Sequence, residues 1–165
     1  MVSGSLRESR FSELGCKVGA FMRGLLQRVT SAQVEVSGEI IGTIGPGLLL
    51  FVGFEKGDEE TKLEPFLNKV INYRIFDDAD HLMNKSLLDV SGGLLVVSQF
   101  TLAANTRKGL RPSFSEALSF SEARVLYKSL IEVAKETLDV ELQYGQFGSD
   151  MEVTLTNSGP TTFIL

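Results

Sequence analysis

The chain has 165 residues and a formal net charge of −5. A chain of this length reads as one domain, able to bury roughly 70% of its extended surface without a disulfide or metal staple. A single cysteine, Cys16, excludes an internal disulfide and a multi-thiolate zinc site and fits a reducing, cytoplasmic location. No apolar run is long enough to span a membrane, and the acidic balance argues against non-specific nucleic-acid binding, DNA included.

Residues 1–21 are rich in Ser, Gly and Arg and lack sustained periodicity. They hold no apolar core of signal-peptide length, and Glu8 and Glu13 count against a mitochondrial transit peptide. The expectation is a disordered N-terminal extension followed by a folded domain over residues 22–165. From Leu25 the chain reads as β. Ser37-Gly38 marks a turn, Glu39–Ile44 a second strand, Gly45-Pro46-Gly47 a strong turn, and Leu48–Phe54 a buried third strand. Three strands joined by tight turns predict a meander.

Asp58, Glu59 and Glu60 signal a helix start. Leu63, Phe66, Leu67, Val70 and Ile71 follow at the spacing of one helix face. Pro65 conflicts with a helix running unbroken from Glu59, so the regular part either kinks or begins near it. Arg74–Phe76 reads as a short strand and Asp77–Asp80 as an acidic turn. Gly92-Gly93 leads into the buried run Leu94–Val97, which feeds Ser98-Gln99-Phe100-Thr101-Leu102. Pro112 and Ser113 precede a short helical stretch. Ser121 is the expected cap of a second helix whose apolar face is Tyr127, Leu130, Ile131, Ala134 and Leu138, with Lys128 and Glu132 as an exposed i,i+4 pair. Val140–Tyr144 and Met151–Leu165 close the chain as β. Mixed elements without βαβ alternation predict an α+β fold: a curved, largely antiparallel, partly barrel-like sheet packed with two main helices.

Common site types are missing. The one histidine, His81, sits in an acidic loop, and there is no HExxH pair and no glycine loop ending in lysine. Ser98, Gln99 and Thr101 remain. In an extended strand Ser98 and Phe100 face one way and Gln99 and Thr101 the other. The two hydroxyls therefore serve one site only where the strand bends or ends. Such a bend frees N–H groups able to hold an oxyanion, whereas the bland alternative is polar residues merely ending a strand. Gly159-Pro160 interrupts a run that otherwise reads as strand. Its X-Pro bond is open to the cis form, although an edge bulge with a trans proline is the commoner case. Arg107, Lys108 and Arg111 form a basic cluster just after the Ser98–Leu102 segment.

These segments together resemble the D-aminoacyl-tRNA deacylases, once called D-Tyr-tRNA deacylases. The resemblance runs from Met22 to Leu165. It is carried by Gln27-Arg28-Val29-Thr30, Gly47-Leu48-Leu49-Leu50, Tyr73-Arg74-Ile75-Phe76 and Met83-Asn84. It continues through Val96-Val97-Ser98-Gln99-Phe100-Thr101-Leu102, Thr106-Arg107-Lys108-Gly109-Leu110-Arg111-Pro112-Ser113-Phe114 and Asn157-Ser158-Gly159-Pro160. It implies hydrolysis of the ester joining a D-amino acid, or the achiral glycyl group, to the terminal ribose of tRNA. It further implies a homodimer with active sites at the subunit interface, and no cofactor or metal. Ser98, Gln99, Phe100 and Thr101 match the segment lining the site. Gly159-Pro160 matches a cis dipeptide that reaches into the other subunit's site and leaves no space for an L side chain. Arg28 matches a position that helps orient that dipeptide, and Arg107, Lys108 and Arg111 are candidate tRNA contacts. Thr161 departs from the Val usual in the family, and its hydroxyl needs a partner if buried.

Three readings follow. The first is a chirally selective ester hydrolase in which water attacks, assisted by the 2′-hydroxyl of the tRNA, because no visible base serves Thr101. The second is a non-catalytic nucleic-acid-binding module resting on the basic cluster. The third is a small-molecule esterase with Thr101 as nucleophile.

Overall fold

The computed structural model of the chain describes residues 22–165, and the extension expected over residues 1–21 lies outside the described residues. Strand β1 (Arg23–Val36) is the organising element. Along one edge it pairs antiparallel with β8 (Glu152–Ile164) from Leu25 to Glu35. Its other edge is shared. The N-terminal half pairs with β3 (Gly47–Gly53) and the C-terminal half with β2 (Glu39–Ile44), both antiparallel. β2 and β3 therefore run in the same direction, as one long arm broken at Gly45-Pro46. The expected meander is not formed, and the Gly-Pro-Gly signal makes a kink rather than a reversal. The reason lies in β1, whose 14 residues are long enough to template both strands end to end.

Beyond β3 the sheet becomes parallel, through β6 (Gly93–Ser98) and then β7 (Glu141–Tyr144). Among the described residues three of the five pairings in this sheet are antiparallel. β2 curls back against β6 and β7, nearly closing a barrel. Inside it lies one core of Val29, Ala32, Val34, Ile44, Leu49, Leu95 and Val97. The outer face carries the larger core, covered by two helices, α1 (Leu63–Asn72) and α2 (Phe120–Thr137). Strands β4 (Phe76–Asp77) and β5 (Met83–Lys85) form a separate ribbon.

The periodicity of α1 is matched residue for residue: Leu63, Phe66, Leu67, Val70 and Ile71 are its buried positions. Pro65 causes no kink. A short 3₁₀ turn at Glu60–Lys62 precedes the helix, which places Pro65 in the first α turn, where its missing N–H would have no intrahelical partner. In α2, Tyr127, Leu130, Ile131 and Ala134 are buried and Lys128 pairs with Glu132 at 3.6 Å. Its cap is Ser119 rather than Ser121: the Ser119 hydroxyl accepts from the Glu122 N–H and donates to the Glu122 carboxylate, a pairing that the Ser-x-x-Glu spacing allows two residues earlier. Residues 113–117 form a single turn flanked by isolated bridges of Ser113 to Asn105 and Ala117 to Glu55, not the helical stretch expected after Pro112. No helix among the described residues is long and apolar enough to cross a membrane.

Candidate functional site

β6 ends at Ser98, and of the two hydroxyl residues Ser98 lines the cleft described below whereas Thr101 does not. Gln99 donates its N–H to the Val52 carbonyl at 2.7 Å, and Phe100–Ala103 then tighten into a 3₁₀ turn. Gly53 permits this. A Cβ there would sit 2.7 Å from the Gln99 carbonyl oxygen and push the turn off β3. The first N–H groups of such a turn, those of Phe100 and Thr101, have no acceptor within it. The Gln99 side-chain amide donates to the Thr101 hydroxyl at 2.5 Å.

Ser98, Gln99 and Phe100 edge a cleft of about 730 Å³. Four phenylalanines stand in its walls. Phe100 packs on Phe114 with ring centroids 5.1 Å apart, and Phe120 on Phe147 at 5.3 Å. Behind them Tyr127 stacks on Phe147 at 5.6 Å, and its buried hydroxyl lies 3.0 Å from the carbonyls of both Val96 and Gly145. This ties the end of β6 to the exit of β7. Burial raises the phenol above its ordinary range, which keeps it a neutral donor. Asp150, Met151 and Val153 complete the far wall.

The second predicted segment lies elsewhere. In the β1–β8 register Gln27 faces Thr162 and Val29 faces Asn157. Arg28 alone on β1 therefore opposes the four residues Ser158–Thr161, which bulge out of the sheet. The Gly159–Pro160 peptide is cis, and both residues are exposed. Arg28 fills the mouth of the bulge. Its Nε donates to the Ser158 carbonyl at 3.1 Å, and its Nη1 donates to the Ile75 carbonyl at 2.8 Å and to Asp77 at 3.1 Å. Neither Gly159 nor Pro160 is among the residues lining the cleft. Val153 is the last cleft residue on β8, and the bulge begins at Ser158, about 17 Å further along the strand at ~3.3 Å per residue. Within one chain the two predicted halves of the site do not meet.

A family model described as D-Tyr-tRNA(Tyr) deacylase matches residues 25–165. The chain belongs to the D-aminoacyl-tRNA deacylase family. This is a family of hydrolases. A D-aminoacyl-tRNA deacylase of Pseudomonas aeruginosa is 53% identical over 87% of this chain and 99% of its own length. One from Pseudoalteromonas translucida is 51% identical over the same shares. A solved structure, the c-Myc DNA Unwinding Element Binding Protein, superposes with a TM-score of 0.82 at 36% identity, covering 87% of this chain and 97% of that one.

Arg107, Lys108 and Arg111 sit on an exposed loop between the 3₁₀ turn and α2. Asn105 and Ser113 close its base with a reciprocal pair of backbone bonds at 2.7 and 3.0 Å. None of the three cations joins an ion pair among the described residues, and the loop returns at Phe114 to the cleft wall. Asp77, expected only as part of an acidic turn, also braces Arg28. Sequence reasoning misses the walls supplied by Phe120 and Phe147. Phe120 stands 65% exposed in the first turn of α2, and a large apolar residue outside the helix's buried stripe is the one signal that marks it.

Proposed function

We propose that this member of the deacylase family hydrolyses the ester of D-aminoacyl-tRNA, releasing tRNA and the D-amino acid, and that it also accepts glycyl-tRNA carrying glycine on tRNA for alanine. The observation that carries the proposal is a cleft edged by Ser98, Gln99 and Phe100, lying apart from an exposed and firmly tied Gly159–Pro160 bulge. A site that needs both is completed by a second copy of the chain. The reading is therefore a homodimer in which each Gly159–Pro160 enters the partner's cleft. Among the described residues β8 pairs only with β1, and its other edge offers a side of the sheet for such a contact. The domain over residues 22–165 is the working unit, and its place is the cytoplasm, with the translation machinery.

The aromatic walls suit a terminal nucleobase, which stacks between rings without sequence-specific contacts. Arg107, Lys108 and Arg111 then lie where phosphates of the 3′ strand leave the cleft. The ester carbonyl sits against Ser98 and the N–H groups of Phe100 and Thr101, which hold the developing oxyanion. Water is the nucleophile, aided by the neighbouring 2′-hydroxyl. Thr101 is supported as a polar contact rather than a nucleophile, because the side chain that meets its hydroxyl, the Gln99 amide, is a donor and not a base. Backbone atoms of Gly159 and Pro160 exclude an L side chain sterically, and glycine passes because it offers only hydrogens.

The test is deacylation of matched D-, L- and glycyl-tRNA by the full chain, with Thr101→Ala alongside. D- and glycyl esters should be cleaved, L-esters spared, and Thr101→Ala should keep measurable turnover. Abolition by Thr101→Ala together with cleavage of simple free esters would favour the Thr101 esterase instead. The name of the solved DNA-unwinding-element-binding relative favours a second reading, a nucleic-acid-binding module. That reading predicts a gel shift of DNA or tRNA with the D-aminoacyl ester left intact.

A further inference from the structure

We infer that Asn157 is a positioning residue that sets the Gly159–Pro160 bulge in place for telling D- from L-esters; this rests on the deacylase reading above. A four-residue excursion opposite a single residue has no ladder bonds of its own across its neck. Asn157 supplies them. Its Oδ1 accepts from the Thr161 N–H at 2.6 Å, and its Nδ2 donates to the Thr161 carbonyl at 3.2 Å. The same Nδ2 reaches the Thr162 hydroxyl at 2.9 Å, which Gln27 contacts from β1 at 3.2 Å. A side-chain amide here pairs with a backbone unit as a neighbouring strand would. Only a group with one acceptor and one donor side by side can do so.

The consequence is a loop fastened at both ends. Arg28 holds the Ser158 carbonyl on the way out, and Asn157 holds both backbone groups of Thr161 on the way back. Gly159 and Pro160 stand between these anchors, exposed but not free to swing. Thr161 itself is buried, so loss of the amide would strand its N–H and carbonyl away from water. The favoured escape is for the neck to open, and that moves the two residues which do the steric sorting. A probe that excludes one enantiomer by shape loses selectivity when displaced, even while the reacting groups in the cleft stay in place.

A purely structural role for Asn157 would reduce the amount of folded enzyme and lower both rates together. A positioning role changes their ratio. The experiment compares D- and L-aminoacyl-tRNA cleavage by the full-length wild type, Asn157→Ala, Asn157→Asp and a control, Leu155→Ala. The control weakens the same strand where it packs on the inner core. Asn157→Ala should lower the D-to-L ratio about tenfold, the equivalent of removing one hydrogen-bonding group, through a relative rise in L cleavage and with KM for D-aminoacyl-tRNA unchanged. Asn157→Asp keeps the acceptor for the Thr161 N–H and loses the donor, so it should fall between. Leu155→Ala should lower the melting temperature and leave the ratio alone. An unchanged ratio in folded Asn157→Ala, or in Asn157→Asp if the alanine variant does not fold, would overturn the inference, as would an equal shift in Leu155→Ala. A wild type without D preference would overturn the underlying reading as well. A wild-type preference that survives Asn157→Ala would overturn only the role of Asn157.

Discussion

Thr161→Val should stabilise the protein. Thr161 is 4% exposed, and its hydroxyl oxygen is buried with no hydrogen-bond partner among the described residues. The backbone groups of the residue are satisfied by Asn157, so the unpaired hydroxyl is not serving them. It faces Gly159 closely enough that a Cβ on that glycine would run into it. Valine has the same branched shape and replaces the hydroxyl with a methyl group. The substitution removes the desolvation cost of an unpaired buried hydroxyl, about 1–2 kcal/mol. For a domain of this size each kcal/mol moves the melting point by roughly 2–4 °C, so Tm should rise by about 2–8 °C. Thermal unfolding followed by circular dichroism reads this directly, and urea titration should show a raised midpoint at unchanged slope. Thr161→Ser, which keeps the hydroxyl and removes the methyl, should go the other way. An unchanged or lowered Tm for Thr161→Val would mean that the hydroxyl is bonded in solution and that the reasoning fails.

Two other variants probe the proposed site. Arg28→Lys replaces a fork that holds Ser158, Ile75 and Asp77 at once with a point charge that cannot span all three. The D-to-L cleavage ratio should fall about tenfold, and an unaltered ratio would remove Arg28 from the orienting machinery. Alanine at Arg107, Lys108 and Arg111 together should raise KM for tRNA and flatten its salt dependence, by about 0.7 in log–log slope for each single-strand phosphate that is no longer neutralised. A triple variant with the wild-type slope would place the tRNA backbone elsewhere.

Much of the fold was legible because the signals were local. The α1 stripe, the buried run of β6 and the amphipathic face of α2 depend on spacing alone, and spacing survives into the structure. The structure departs from the expected one where a local signal has two long-range outcomes. Gly45-Pro46-Gly47 bends the chain whether it reverses direction or merely kinks, and only the length of β1 decides between them. Ser119 and Ser121 both precede the second apolar stripe, and the Glu at the third following position selects the former. The site divides in the same way. The end of β6 at Ser98 and the irregularity at Gly159-Pro160 were visible as breaks in strand patterning. The cleft walls were not, because Phe114, Phe120 and Phe147 come from a loop, the exposed first turn of a helix and the β7–β8 connection. Only the curl of the sheet brings these together. The Asn157 clamp was hidden for another reason: an asparagine beside glycine and proline reads as ordinary turn chemistry until the β1–β8 register reveals the four-against-one mismatch that it closes.

The most direct measurement is the ratio of initial rates at which the purified full-length chain cleaves one tRNA charged with the D or the L form of the same amino acid. Steric sorting by the Gly159–Pro160 bulge predicts rapid loss of the D-aminoacyl ester and a rate for the L-ester no greater than its spontaneous hydrolysis. Comparable enzymatic rates for both would contradict it.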